Sequence, residues 1–429
     1  MPQPTQHAAP RARLTLALLA LLSALAFMDR QILAVLLVPV KAEFSLSDLQ
    51  VGLVTGLGFA LAFGAIALPL GRLADRRERR TLVALCRGIG GALAALGAAA
   101  NGAWTLAVTR MGSAISDAGG GPASLSMIAD LFPPASRSRA MSVFAMGASA
   151  GSLMALIGGA WFAQRYGWRA TLAAIGLGSL AVAVLLRYWA REPLRGEPIA
   201  AAGGVATAPM EQGAVRAVLA EPVARWLIVA AALALLAGIS FGTWNFAYLV
   251  RVHGLEPEAV GWITGLSALG SVLGNLASGA LADRLTRRDA RWQLGVPLVG
   301  IGAALPLGLA YLALGPRDTA LAVALVIAFG FFIAWWVAPS YAALSLVVAP
   351  ARRGTANAML MLAGAVGGGG IGPVLTGAVS DLLAGHVSGD PLRWALALMV
   401  ALLAPSWLAF SSAMRAYPAA RRAALGEAA

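Results

Sequence analysis

The chain has 429 residues, of which 59% are hydrophobic and 12% charged, and its mean hydropathy is +0.77. So little polar surface excludes a soluble globular chain and makes the bilayer the solvent for most of it. The net charge of +13 lies almost wholly in arginines spread over loop ends, with no aromatic-interleaved basic patch, which argues against a nucleic-acid partner; one cysteine and three scattered histidines exclude an intramolecular disulfide and a metal site.

Twelve apolar stretches approach the roughly 20 residues that a span requires. The first covers residues 14–38. Arg11, Arg13, the apolar run after them and the Ala-Leu-Ala triplet at 24–26 imitate a cleaved secretory signal. Apolarity continues to Val40, however, interrupted only by Asp29-Arg30-Gln31, and removal would leave an odd number of spans. Asp29 and Arg30 therefore lie about 22 Å along a membrane helix. The second stretch, 49–71, ends in the loop GRLADRRERR at 71–80. In the third, 81–100, Arg87 is close enough to the helix end to snorkel. The fourth, 104–129, carries Arg110 and Asp117, followed by Gly119-Gly120-Gly121-Pro122, a run that favours a bend with its freed carbonyls facing a wet cavity. The fifth and sixth stretches are 139–163 and 169–189.

Residues 190–225 break the pattern with charge, glycine and proline and are expected to be a linker. Six further stretches follow at 226–250, 259–282, 293–314, 319–348, 354–380 and 392–414. Among them GALADRLTRR at 279–288 repeats the earlier loop with seven identities at an offset of 208, and VGWITGL at 260–266 repeats VGLVTGL at 51–57. Two copies of one helix–loop–helix element half a chain apart predict an all-α polytopic membrane protein, its twelve helices forming two pseudo-symmetric six-helix bundles over 1–189 and 226–429. Among the polar and amphipathic groups of the second half, Asn245 and Trp336 are expected to contact the substrate. The glycines at 367–370 are expected to act as a hinge.

Of the 32 basic residues, 23 fall on one side if the chain starts in the cytoplasm, 6 fall on the other and 3 lie in the membrane. Both termini are therefore expected in the cytoplasm, and the bulk composition suits a bacterial inner membrane. In the repeated loop, Gly71 and Gly279 are expected to allow a close helix approach. Asp75 and Asp283, with Arg76, Arg80 and Arg284, are expected to form contacts made in one global conformation and broken in another. Anchoring alone is the plainer role for these charges.

Charges in mid-membrane must pair or face water. Burial favours the neutral carboxyl and a nearby guanidinium the ionised one, so a carboxylate beside arginine can be tuned by an arriving solute. Asp117 is the expected proton carrier, with Asp29 the second candidate. Arg30 and Arg110 are expected to contact an anionic group, Asp29 holding and releasing Arg30. A permanent salt bridge that only fixes helix packing is the structural alternative. The expected partners are the lipid bilayer, a small solute and protons, without cofactor, for a monomer. No pore filter, nucleophile cluster or nucleotide loop is present, leaving a receptor or scaffold as the rival class.

GRLADRRERR and GALADRLTRR resemble the loop signatures of the major facilitator superfamily, and the resemblance extends over nearly the whole chain. Residues 27–56 and 128–144 resemble the spinster branch, which implies a carrier for sphingosine phosphate or lysophospholipids by alternating access. Organic-anion and sugar-phosphate symporters share the Asp-Arg pair of the first helix and are the alternative. One departure stands out: where spinster-like carriers have Gly-x-Gly-Glu-Ala, this chain has Ala114-Ile115-Ser116-Asp117-Ala118. The carboxylate is retained one methylene shorter.

Overall fold

The computed structural model describes residues 8–193, 214–349 and 352–425, and the described residues form helices without strands. They fall into two compact units, Met1–Ala206 and Thr207–Ala429. Most of the predicted linker, 194–213, lies outside the described residues.

In the first unit α1 (Ala8–Phe44) is followed by α2 (Asp48–Gly52), which the Ser47 side chain caps by accepting from the Gln50 amide. A wide turn over Leu53–Leu57 carries α2 into α3 (Gly58–Arg76). The unit continues with α4 (Arg79–Leu96) and α5 (Ala103–Leu131). Then α6 (Pro134–Leu153) runs through a second wide turn, Met154–Gly158, into α7 (Gly159–Trp189). Inside α7 the backbone breaks at Gly167, with φ 81° and ψ 165°, a conformation open essentially to glycine alone. That break separates the predicted fifth and sixth spans.

Leucine-rich faces of α1, α4, α5 and α7 meet in a core around Leu19, Leu22, Val83, Met127, Ile128 and Leu186. Lipid tails are as apolar as leucine, so association in the membrane depends on close packing more than on the hydrophobic effect. Small residues supply it. A methyl group at Gly147 or Gly151 of α6 would strike the Ala20 or Ala24 carbonyl of α1, and one at Gly90 of α4 would lie 2.9 Å from the Gly112 carbonyl of α5.

The second unit contains α8 (Ala214–Ala220), α9 (Pro222–His253), α10 (Pro257–Thr286) and α11 (Trp292–Ala313). After these come α12 (Thr319–Ile333) and α13 (Val337–Val347), which break the single predicted stretch 319–348 at 334–336. The Asn275 carboxamide of α10 accepts from the Ala338 amide at 3.1 Å, so a side chain satisfies one of the amides left open at the start of α13. The segment α14 (Arg353–Leu362), a wide turn Ala363–Ile371 and α15 (Gly372–Leu383) together cover the predicted eleventh span, and Thr355–Leu383 is long and apolar enough to cross a membrane. Its glycines pack on α9: a methyl at Gly368 would lie 2.9 Å from the Leu235 carbonyl. The unit ends with α16 (Pro391–Ala401) and α17 (Leu403–Leu425). Helix α9 begins at Pro222 rather than at the predicted 226, because proline is favoured in a first helical turn.

Ten helices among the described residues are long and apolar enough to cross a membrane. Helix α5 is not one of them: its serines and glycines, with Arg110 and Asp117, dilute its apolar character. It is nonetheless central to the first unit, packed against α3, α4 and α6.

Candidate functional site

Arg110, Ser113 and Asp117 recur at i, i+3 and i+7 along α5 and so share one face of that helix. Facing them are Asp29 and Arg30 from α1 and Arg87 from α4. Arg110 Nη1 donates to Asp29 Oδ1 at 2.7 Å and Nη2 to the Asp29 carbonyl at 2.8 Å, while Ser113 Oγ donates to Asp29 Oδ2 at 2.5 Å. Both ions of this pair are buried. All the strong acceptors of Asp29 are therefore occupied, which is what makes an ion pair tolerable in a medium of low dielectric.

Asp117 has a different environment. Its Oδ1 accepts from Arg87 Nη1 at 3.2 Å, and its Oδ2 lies 3.7 Å from Arg30 Nη1. Arg87 also donates to Ser116 Oγ at 2.9 Å and is almost wholly buried, whereas the Arg30 side chain is 33% exposed and lies over the Phe59 ring of α3, 4.7 Å from its centroid. One carboxylate is thus held between a buried cation and an accessible one.

Two expectations are corrected here. Asp29 does not hold Arg30; it holds Arg110, because position 110 lies one turn from Ser113 on the face turned to α1, and Arg30 is instead beside Asp117. Arg87 does not snorkel to the helix end. It turns inward because α5 offers it a carboxylate, a hydroxyl and the space left by Gly120, where a methyl group would collide with the guanidinium. The glycine run that suggested a bend serves close approach: Gly119 makes room for Cys86 and Gly120 for Arg87, while Gly121 faces open space and α5 continues through Pro122 as one helix. Shared helical spacing with Arg110 and Asp117 could have identified Ser113 and Ser116. Nothing in the sequence marks Phe59.

A second charged cluster joins the start of α4 to the end of α5 and the residues after α7. Arg79 is buried, with Nη1 donating to Asp130 at 2.5 Å and Ser126 at 2.9 Å, Nη2 to the Pro193 carbonyl at 3.0 Å and Nε to Glu192 at 3.3 Å. Glu192 also accepts from the backbone amides of Arg79 and Arg80 at 3.2 and 2.6 Å, satisfying two of the open donors of α4 from 112 or more residues away. Beside it Arg80 donates to the Ala190 carbonyl at 3.1 Å and pairs with Glu78. The Thr81 hydroxyl, with Arg80, holds the Glu78 carboxyl below the usual carboxylate range. The first residues of the predicted linker are therefore docked, and Arg79, one of the repeated-loop arginines expected to anchor the chain, is the centre of the cluster.

The side chains of Gly71, Asp75 and Arg76 lie outside the described residues. In the other copy of the loop, Asp283 and Arg284 are exposed, and among the described residues neither forms an ion pair. A methyl group at Gly279 would make only an ordinary contact with Ala338 at 3.5 Å, so close approach does not require glycine there.

In the second unit Asn245 is buried and accepts from the Tyr311 hydroxyl at 2.7 Å, within an aromatic cluster of Phe241, Tyr248 and His253. Trp244 donates to the Pro373 carbonyl at 3.1 Å, and Trp336 is buried at the start of α13. The Asn245 carboxamide oxygen is thus engaged by Tyr311, and both Asn245 and Trp336 are buried in this arrangement.

The Major Facilitator Superfamily model matches residues 19–367 and 245–428. An MFS-type efflux pump from Mycolicibacterium smegmatis is 35% identical over 405 residues, 93% of this chain and 91% of that protein. Protein spinster homolog 1 from Xenopus tropicalis is 26% identical over 377 residues, 83% of this chain and 70% of that protein. Among solved structures, a bacterial homologue of the human lysosomal transporter Spinster, inward-facing and unoccupied, superposes with a TM-score of 0.83 at 25% identity, covering 96% of this chain and 98% of that one. The nucleoside transporter NupG shares the fold, with a TM-score of 0.74 at 14% identity. These relatives are transporters and not enzymes, and the buried charges of α1, α4 and α5 lie in a chain of the same architecture: it belongs to the Major Facilitator Superfamily, in the spinster branch, as an integral membrane transporter.

Proposed function

We propose that this chain is a proton-linked secondary carrier of an amphipathic or anionic small solute, with a lysolipid favoured over a small organic anion or sugar phosphate. The observation that supports the reading is Asp117 held between buried Arg87 and accessible Arg30. An anionic headgroup arriving at Arg30 finds a planar donor fork suited to phosphate or carboxylate and competes with Asp117 for it. A carboxylate that loses one of two cations accepts a proton more readily, so solute binding and protonation become linked. Asp29, closed by Arg110 and Ser113, is the second carboxylate able to take part, once that pair opens.

The proposed cycle is alternating access by a monomer with twelve crossings. Eleven come from the ten long apolar stretches, the one formed by α6 and α7 dividing at Gly167 into two, and α5 supplies the twelfth. Both termini are proposed to be cytoplasmic in a bacterial inner membrane, from the arginine distribution. Sequence identity of 35% to an efflux pump supports export of an amphipathic compound as a second reading.

The test is flux of a fluorescent lysophospholipid across proteoliposomes under an imposed pH gradient, comparing wild type with Asp117→Asn. Gradient-driven flux that disappears in the variant is expected. Flux with unchanged pH dependence in Asp117→Asn overturns the proton assignment. Flux of a small organic anion with none of the lysolipid overturns the solute class, and binding without flux of either favours a receptor.

A further inference from the structure

Alanine 12, Arg13 and Leu16 of α1, the end of α5 and the start of α6 enclose a cleft of about 480 Å³ within the first unit. Its floor is apolar, formed by Leu16, Leu131, Phe132, Ala140 and Val143. Two guanidinium side chains, Arg13 and Arg139, line the same cleft and are exposed at its rim. Among the described residues neither has an ion pair or a side-chain hydrogen bond. Among the described residues no acid lines the cleft, and Asp130 nearby is engaged by Arg79. Arg137, between the two elements' arginines in sequence, has a buried Nε without an acceptor. The cleft shares no residue with the Asp29 and Asp117 cluster.

Exposed cations at the end of a membrane helix are commonplace, and an apolar groove alone matches any hydrocarbon. Their conjunction is selective: two positive charges that no carboxylate among the described residues neutralises, at the mouth of a hydrocarbon-lined cleft, complement an amphiphile with an anionic head. We propose that this cleft holds one anionic phospholipid of the bilayer, its phosphate shared by Arg13 and Arg139 and one acyl chain lying along Leu16, Phe132 and Val143. The lipid is a bound component of the first unit. The site depends neither on the solute carried nor on which leaflet faces this end, so its failure and the failure of the transport reading are separable.

The experiment measures phospholipid retained by the detergent-purified full chain, using native mass spectrometry with phosphatidylglycerol and phosphatidylcholine supplied in equal amounts. Wild type is expected to retain phosphatidylglycerol preferentially. Replacing both Arg13→Gln and Arg139→Gln is expected to lower that retention about 25-fold, at about fivefold for each arginine. Val143→Trp keeps both charges and fills the cleft, and is expected to lose the lipid as well. Arg421→Gln with Arg422→Gln makes the same charge change in the second unit and is expected to leave retention at the wild-type level. Excess glycerol phosphate, which offers the phosphate without a chain, is expected not to displace the lipid. Unchanged retention in the Arg13 and Arg139 variant, an equal loss in the Arg421 and Arg422 variant, wild-type retention in Val143→Trp, or displacement by glycerol phosphate would each overturn the proposal. The Arg13 and Arg139 variants change exposed side chains outside the core, so they test the site without unfolding it.

Discussion

The guanidinium of Arg87 occupies the space that a side chain at position 120 would fill, and only because Gly120 lacks one does Arg87 Nη1 come within 3.2 Å of the Asp117 carboxylate. A glycine on one helix thereby sets the charge environment of a carboxylate three residues earlier. Gly120→Ala is expected to push Arg87 aside and cost about 1–3 kcal/mol, the usual penalty for adding a methyl group to a packed interior. Gly121→Ala faces open space and is expected to be neutral. Thermal unfolding in detergent, paired with the pH dependence of flux, checks both: the first variant should alter each readout and the second neither.

The Asp29 and Arg110 pair carries a different expectation. Arg110→Met leaves a buried carboxylate with one hydroxyl donor, and breaking a buried pair on one side typically destabilises by about 3–5 kcal/mol. Adding Asp29→Asn to that variant removes the uncompensated charge and is expected to recover part of the loss. A double-mutant cycle on unfolding free energies reads the coupling directly, and additive effects would mean that the pair contributes little to the first unit.

Arg79 and Asp283 test the asymmetry between the two copies of the repeated loop. Arg79→Ala removes the partner of Asp130 and the side-chain partner of Glu192, and is expected to destabilise by about 3 kcal/mol or more. Asp283→Asn alters an exposed group without an ion pair among the described residues and is expected to stay within about 0.5 kcal/mol of wild type. Equal effects from the two substitutions would contradict the arrangement described above.

At Gly167 the backbone itself makes the prediction. With φ at 81° and ψ at 165°, any residue with a Cβ is strained, and Gly167→Ala is expected to lower stability by about 1–3 kcal/mol although nothing lies within 4 Å of the added methyl. A loss without a steric neighbour distinguishes backbone strain from packing. Gly158→Ala, with equally open surroundings and ordinary helical angles, is the matched control.

The sequence by itself determined the solvent and the class, and it pointed to two related halves, because these depend on sums and periods along the chain. Apolar runs of helix length need a bilayer, and a loop repeated after 208 residues points to two related halves wherever its side chains go. It also identified the intramembrane charges Asp29, Arg30, Arg110 and Asp117, since an ion in an apolar run is conspicuous without any structure. Which cation meets which carboxylate was not legible, because pairing depends on the rotation of each helix about its axis and on how closely neighbours approach. Those are set by contacts between residues far apart in sequence: Gly90 against Gly112, Gly120 against Arg87 and Ser113 beneath Asp29. For the same reason Arg79, one of several loop arginines on paper, became a buried centre only when Asp130 and Glu192 were folded onto it, while its repeat-mate Arg287 remained exposed. Sequence periodicity specifies helices and their burial demand; tertiary packing alone decides the partners that make a buried charge stable, accessible or free to move.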